Sequence, residues 1–267
     1  MKTEEGIEAF PFEFDEHDVE ALMPVSRRRL DRALGRIRRP AVATGMVESP
    51  LGRLLVAASE RGVAMVHYTD RDDDIAPAIM RLRAQFDPVE NETAVAGIGA
   101  DIRRYLEGGE EALSYRADLT LAATPFQKRA LGGLLRVPRG ALVSYQALGA
   151  AIGNPEGSRA IGNAMHNNPV PIYVPCHRVI TSDGRLGGYG GGHARKIQLL
   201  RVEGFAVDES STRIPERAVW GHRGTKIYCQ PDCRAALRVD RTRILFFADS
   251  AQARHAGMRA CKICRPV

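Results

Sequence analysis

Pro175-Cys176-His177-Arg178-Val179-Ile180 is the stretch on which the reading of this chain turns. It follows an apolar run, Val170 to Val174, that reads as extended, and it precedes a glycine-rich loop, Gly184 to Gly192. A cysteine reacts as its thiolate, and near neutral pH a nearby group, most often a histidine, must take its proton. His177 is the next residue, but neighbours on a regular strand point to opposite faces. Adjacency therefore permits a proton relay without establishing one. On the hexapeptide alone, a buried structural cysteine is the simpler reading.

Upstream of this stretch, the residues after Thr124-Pro125-Phe126 read as a helix to Val137, stopped by Pro138-Arg139-Gly140. Two short helical patterns follow, Ser144 to Ile152 and Ser158 to Asn167, separated by Gly153-Asn154-Pro155-Glu156-Gly157, with Ser158 in place to cap the second. That is the length of a helix-turn-helix, although such pairs are also common in cores. Ala41 to Tyr68 alternates around Ser49-Pro50-Leu51-Gly52 and Glu60-Arg61-Gly62, which predicts a β-hairpin or small sheet. Ile75 to Phe86 and Ala96 to Leu106 read as helices, the second stopped at Gly108-Gly109. Residues 1–39 form an N-terminal extension, acidic and then basic, with Leu22, Val25, Leu30, Leu34 and Ile37 at helical spacing.

Charge is distributed unevenly along the 267 residues. Residues 40–119 carry 8 Lys and Arg against 14 Asp and Glu, whereas residues 120–205 carry 10 against 3 and residues 206–267 carry 12 against 6. All five cysteines lie in the two basic segments. Clustered Lys and Arg suit a nucleic-acid partner, though a solvated basic face has the same composition. No apolar run approaches the length of a membrane span, and the acidic start fits no secretory or transit peptide. The expectation is a cytoplasmic protein with reduced thiols.

Cys229-Gln230-Pro231-Asp232-Cys233 and Cys261-Lys262-Ile263-Cys264 are two close thiol pairs, the spacing by which a short chain wraps one tetrahedral Zn(II). Free thiols or an iron–sulfur cluster are the alternatives. Residues 206–219 are polar and irregular and read as a linker, with a second module starting near Trp220. A module of that size has little core, so metal binding should supply much of its folding free energy.

From Thr124 to Gly204 the chain resembles the 6-O-alkylguanine-DNA alkyltransferases. The series comprises Thr124 to Lys128, Pro138-Arg139-Gly140, Ser144-Tyr145, Arg159 to Gly162, Asn167 to Ile172, Pro175 to Ile180, Gly188 to Gly192, Arg195-Lys196 and Leu199 to Gly204. The resemblance implies an α/β fold with a ribonuclease H-like N-terminal subdomain at 40–119 and a helical, helix-turn-helix-containing catalytic subdomain at 120–205. A linker at 206–219 and a small four-cysteine zinc module at 220–267 follow.

It also implies roles. Cys176 would accept the alkyl group, and His177 would take its proton through a water. Glu203 would hold the imidazolium, and Asn168 would orient the relay. Tyr145 would donate to the departing base, with Lys196 a nearby charge. The carbonyls of Cys176 and Val179 would read the guanine edge, while Tyr189 and Gly190 line the pocket. A duplex base must leave the stack to be reached. Arg159 would fill the vacated space, and Ala160, Gly162 and Ala164 would let that helix approach the minor groove. Since a thioether has no good leaving group, each molecule would act once.

Residues 227–266 are similar to the zinc domain of the Ada adaptive-response family, through Ile227-Tyr228-Cys229, Cys233-Arg234, Phe246-Phe247-Ala248 and Cys261 to Pro266. In that family the first cysteine, here Cys229, accepts methyl from backbone methyl phosphotriesters. Here the module is C-terminal, and Gln230 and Asp232 stand where the family usually has Arg and Ser. Phosphotriester repair at Cys229 and a plain zinc-stabilised DNA-binding role both remain open. The partner implied is double-stranded DNA carrying alkylated guanine, met by a monomer with no organic cofactor. The rival readings are a non-catalytic binder of alkylated DNA and a zinc-dependent, methylation-responsive transcription regulator.

Overall fold

The alternation between Ala41 and Tyr68 becomes three antiparallel strands, β1 (Ala41–Ser49), β2 (Gly52–Ser59) and β3 (Gly62–Tyr68), joined by two tight turns. The structure, a computed structural model, describes residues 39–108, 113–235 and 238–266. The N-terminal helix expected between Leu22 and Ile37 lies outside them. After α1 (Ile75–Arg83) comes a strand that the sequence pattern did not reveal, β4 (Asp87–Glu90), parallel to β1 at the sheet edge. It is short and largely exposed, so it shows no apolar alternation.

Helix α2 (Glu92–Leu106) starts four residues earlier than expected because Asn91 caps it, its Oδ1 accepting from the Ala94 N–H at 3.1 Å. Its buried face, Val95, Ile98, Ile102 and Tyr105, covers β1 and β2. Helix α3 (Pro125–Leu134) is capped by the Thr124 hydroxyl and has proline at its first turn. Next come β5 (Ala141–Ser144), α4 (Tyr145–Ala151) and α5 (Ser158–His166). Ser144 is the α4 cap, accepting from the Ala147 N–H at 3.0 Å. Ser158 is not a cap: Gly157 occupies that position and offers no side-chain bond.

The run Val170 to Val174 is not extended either. It is a turn closed by the Val174 N–H on the Val170 carbonyl at 2.9 Å and by the Val170 N–H on Asn168 Oδ1 at 3.0 Å. Two prolines, Pro169 and Pro171, disfavour a paired strand there. Cys176–Arg178 forms one turn of 3-10 helix, followed by β6 (Val179–Ile180) and later α6 (His193–Val202).

The C-terminal segment adds β7 (Val219–His222), β8 (Ile227–Cys229), β9 (Ile244–Phe247), α7 (Ser250–His255) and β10 (Arg259–Ala260). These strands join the preceding half in one six-stranded sheet of order β10-β8-β7-β9-β5-β6. One buried apolar cluster includes Leu54, Ile98, Leu131, Val143 and Cys176 together with Tyr228, Phe247 and Met258. Pro40–Val267 is correspondingly one compact unit. No helix among the described residues is long and apolar enough to cross a membrane.

Candidate active site and metal centre

Cys176 begins the 3-10 turn after Pro175, and its Sγ accepts a hydrogen bond from Asn168 Nδ2 at 3.1 Å. The same amide donates to the Val174 carbonyl at 2.9 Å, so Asn168 is held at both ends of its side chain. Ile172, in the turn between them, has φ 75°. A β-branched residue in that left-handed region carries backbone strain, which folds tolerate where it fixes a functional loop. Cys176 is only 6% exposed, yet it lines two openings. One, of about 350 Å³, is bounded by Tyr145, Gly162, Met165, Gly188, Tyr189 and Gly190. The other, of about 510 Å³, lies toward Tyr68, Pro171, Gly191 and Arg195.

His177 is completely buried, with Nε2 against Glu203 Oε1 at 2.8 Å. Glu203 caps the C-terminal end of α6 and is itself 1% exposed. Three further groups serve it: the Arg178 guanidinium at 2.8 to 3.0 Å, the Tyr105 hydroxyl at 2.5 Å and the Gly140 N–H at 3.3 Å. Burial pushes the Glu203 carboxyl up, but Arg178 and His177 outweigh it and hold the group ionised well below the usual carboxylate range. For His177 burial wins, and its pKa is lowered despite Glu203. The imidazole is therefore neutral at pH 7, with its proton on Nε2 facing the carboxylate. Nδ1 is a buried acceptor with no partner among the described residues. Burial also pushes the Cys176 thiol up, against the Asn168 hydrogen bond and the Lys196 charge, so at rest it keeps its proton.

The other expected site residues fall into three groups. Tyr145, Tyr189 and Gly190 line the smaller opening beside Cys176. Lys196 and Val179 are fully buried behind it: Lys196 Nζ donates to the Val179 carbonyl at 2.7 Å and to the carbonyls of Leu186 and Gly188. Its ammonium anchors the glycine-rich loop, and burial lowers its pKa to about 8. Arg159 is exposed on the first turn of α5 and has no ion pair among the described residues. Ala160 and Gly162 are half-buried on the same helix, whereas Ala164 is 6% exposed, its carbonyl accepting from Gln127 Nε2.

Sequence reasoning missed Arg178, Tyr105 and Tyr68. Arg178 sat inside the quoted hexapeptide, and its charge beside the candidate base was a usable signal. Tyr105 reaches Glu203 across 98 positions of sequence and left no local sign. Tyr68 shares a hydrogen bond of 2.8 Å with the Tyr189 hydroxyl and lies under the Arg195 guanidinium, which ties β3 to the cavity wall.

Cys229, Cys233, Cys261 and Cys264 converge, their sulfurs all within 4.8 Å of one another. Tetrahedral zinc thiolates have sulfurs about 3.8 Å apart, so the cluster fits one Zn(II) with little adjustment. Backbone N–H groups of Gln230 and Ile263 donate to the Cys264 and Cys261 sulfurs at 3.5 and 3.4 Å, which suits thiolate ligands. These four residues form the zinc site. Because β9 pairs with β5, chelating the metal should destabilise the whole unit and not the module alone. Trp220, the single tryptophan, reports on the module, and far-ultraviolet circular dichroism reports on the whole. The expected result is that both probes show one coincident thermal transition, lowered by chelation; an early tryptophan transition at unchanged overall stability would contradict it.

Two family models match. One, described as the 6-O-methylguanine DNA methyltransferase DNA binding domain, covers residues 125–205, and the other, the metal binding domain of Ada, covers residues 205–267. The methylated-DNA–protein-cysteine methyltransferase of Methanosarcina barkeri is 34% identical over 158 residues, 59% of this chain and 94% of that protein. The bifunctional transcriptional activator/DNA repair enzyme Ada of Escherichia coli is 37% identical over 61% of this chain, which spans 46% of that protein's length. Among solved structures, Mycobacterium tuberculosis OGT in complex with DNA superposes with a TM-score of 0.50 at 32% identity, covering 61% of this chain and 92% of that one. With a cysteine-lined cavity, a buried histidine–glutamate pair and these relatives in agreement, the chain belongs to the methylated-DNA–protein-cysteine methyltransferase family.

Proposed function

We propose that this chain repairs DNA by moving an alkyl group from the 6-oxygen of guanine onto the Cys176 sulfur, once per molecule. The observation that carries the reading is a thiol lining a base-sized cavity while the adjoining imidazole is bonded to a buried, ionised carboxylate. The S–C bond forms as the C–O bond breaks. The thiol proton passes by way of water to His177 Nδ1, Glu203 stabilises the imidazolium, and the purine takes up one proton as it leaves, with Tyr145 as donor. Asn168 holds Sγ toward the incoming carbon. Lys196 acts from behind the wall by fixing the loop that carries Tyr189 and Gly190.

The antiparallel β3-β2-β1 set extended by parallel β4 supports a ribonuclease H-like subdomain at 40–119, and α4 and α5 support a helix-turn-helix within 120–205. Residues 1–39, 206–219 and 220–267 are then the extension, the connection and the zinc module. Duplex DNA with alkylated guanine is the partner, met by a monomer in the cytoplasm, where the thiol stays reduced. Titrating 6-O-methylguanine DNA against protein tests the reading: repair should stop at one guanine per molecule, and continued turnover or no repair by folded protein would refute it. Because Cys176, His177, Glu203 and Tyr145 are all in place, transfer is favoured over binding without transfer.

Two predictions concern the relay and the helix. His177 holds its proton less tightly than an ordinary imidazole, so the acid limb of the single-turnover rate should be centred below pH 6.5. An acid limb centred at or above 6.5 would contradict the neutral-base assignment. Arg159→Ala should leave stability within about 0.5 kcal/mol, as for other unpaired surface residues, yet slow transfer from a fully paired duplex about tenfold or more. The loss should shrink when the lesion sits opposite a mismatch, where extrusion costs less. Equal losses on both substrates would argue against a stack-filling role.

Cys229 lines an apolar cavity of about 310 Å³ with Trp220, Ile227, Val239 and Ile263. A phosphotriester methyl could enter there, while exposed Asp232 repels the flanking phosphates. Methyl transfer to Cys229 from a phosphotriester oligonucleotide separates phosphotriester repair from DNA binding alone.

A further inference from the structure

The relay carboxylate is bracketed by two glycines in left-handed conformations, Gly140 at φ 73° and Gly204 at φ 91°. Gly140 donates its N–H to Glu203 Oε2, and Gly204 follows Glu203 in the chain. A Cβ on Gly140 would lie 1.8 Å from Oε1 of Gln252, and one on Gly204 would lie 3.0 Å from its Nε2. The two glycines thus leave a notch, and one side chain of the cysteine module occupies it. Gln252 Nε2 also donates to the Glu203 main-chain carbonyl at 3.4 Å.

Nothing about Gln252 is loosely placed. It lies in the first turn of α7, where Asp249 Oδ1 accepts its N–H at 2.9 Å. The strand just before, β9, pairs with β5 through Ala141↔Phe247 and Val143↔Leu245, and β5 starts one residue after Gly140. On its other edge β5 pairs with β6 through Val143↔Val179 and Ser144↔Ile180, directly after Cys176-His177-Arg178. In the opposite direction β9 pairs with β7, and β7 with β8, which ends in Cys229. One sheet therefore carries zinc cysteines toward one edge and the acceptor turn at the other.

We propose that Gln252, a residue of the zinc module, is a positioning residue for transfer at Cys176: its amide holds the main chain at Gly140 and Glu203 and so fixes the carboxylate that orients His177. The proposal rests on the alkyl-transfer reading of Cys176. Gln252 lines neither opening beside the thiol, so it touches no substrate and acts only through Glu203. Displacements of about 1 Å in a catalytic group cost up to about 10²-fold in rate, and a partial loosening of this kind should cost about tenfold.

The test uses zinc-loaded, full-length protein carrying ¹⁵N-histidine, with Q252A and Q252M beside the wild type. Single-turnover transfer is measured against the concentration of 6-O-methylguanine duplex, and the downfield Nε2–H resonance of His177 is followed by NMR. In Q252A the rate at saturating DNA should fall about tenfold with the half-saturating DNA concentration unchanged, and the resonance should move upfield or vanish. Q252M refills the notch without the amide and should fall between Q252A and wild type. Either folded variant with the wild-type rate and an unmoved resonance overturns the proposal. A wild type that transfers no methyl refutes the alkyl-transfer reading instead, and the resonance then decides the role of Gln252 by itself.

Discussion

Cys176→Ala protein is expected to fold, to bind 6-O-methylguanine duplex with unchanged affinity, and to transfer no methyl. Folding should survive because the side-chain amide that donates to the thiol is not stranded: Asn168 Nδ2 still donates to the Val174 carbonyl. A sulfur-sized deletion beside an existing opening costs about 1 kcal/mol, at the low end of buried truncations. Cys176→Ser should be equally inactive, since burial that already keeps a thiol protonated keeps a hydroxyl protonated more firmly. Single-turnover assays with a parallel DNA-binding measurement check both. Residual transfer at the wild-type rate would mean that the methyl goes to another residue.

Glu203→Gln should produce the largest stability change of any single substitution in the site. The carboxylate is fully buried and serves His177, Arg178, Tyr105 and the Gly140 N–H together. Neutralising it leaves the Arg178 guanidinium buried without a counter-charge, and breaking a buried pair in this way costs about 3–5 kcal/mol. For a unit of this size that is a fall of roughly 10 °C in Tm. The rate of transfer should fall about 10²-fold or more, because the amide can neither stabilise an imidazolium nor favour the Nε2–H tautomer. The pH dependence follows from the depressed carboxyl. In the unfolded chain Glu203 binds its proton near the ordinary carboxylate value, so its contribution is complete above that range and is lost as pH falls through and below it. Glu203→Gln should accordingly narrow its deficit against wild type in acid. A variant within about 1 kcal/mol of wild type at pH 7 would show that Arg178 finds another partner.

How far the sequence disclosed this site depends on distance along the chain. The three antiparallel strands were legible because they are long, seven to nine residues each, and the turns between them carry Gly and Pro. Strand β5 was not, since four consecutive buried residues between a turn and a helix have no periodicity to read. The Cys176 turn shows the same limit. An extended Val170 to Val174 leading into Cys176 would have put His177 on the opposite face, and what removes that difficulty is the 3-10 turn, in which successive side chains are about 120° apart. Nothing in the hexapeptide announces that turn. The strain at Ile172 and the two-ended hold on Asn168 belong to tertiary structure.

The zinc module was legible as chemistry and not as architecture. Two cysteine pairs at metal-binding spacing announced the ligands, and the four sulfurs do converge. Their spacing says nothing of where the module docks. Ile244-Leu245-Phe246-Phe247 carried the clue: all four residues are buried, which a free-standing module of this size has no second layer to achieve. Its partner is β5, and through β5 the metal centre and the Cys176 turn share one framework.

Peptide mapping of wild-type protein after exposure to duplex DNA that carries both 6-O-methylguanine and a backbone methyl phosphotriester decides whether Cys176 is the acceptor. The peptide containing Cys176 should become heavier by one methylene unit, in stoichiometric yield, when the guanine lesion is present, whatever happens at Cys229. An unmodified Cys176 in folded protein that has consumed the guanine lesion would contradict it.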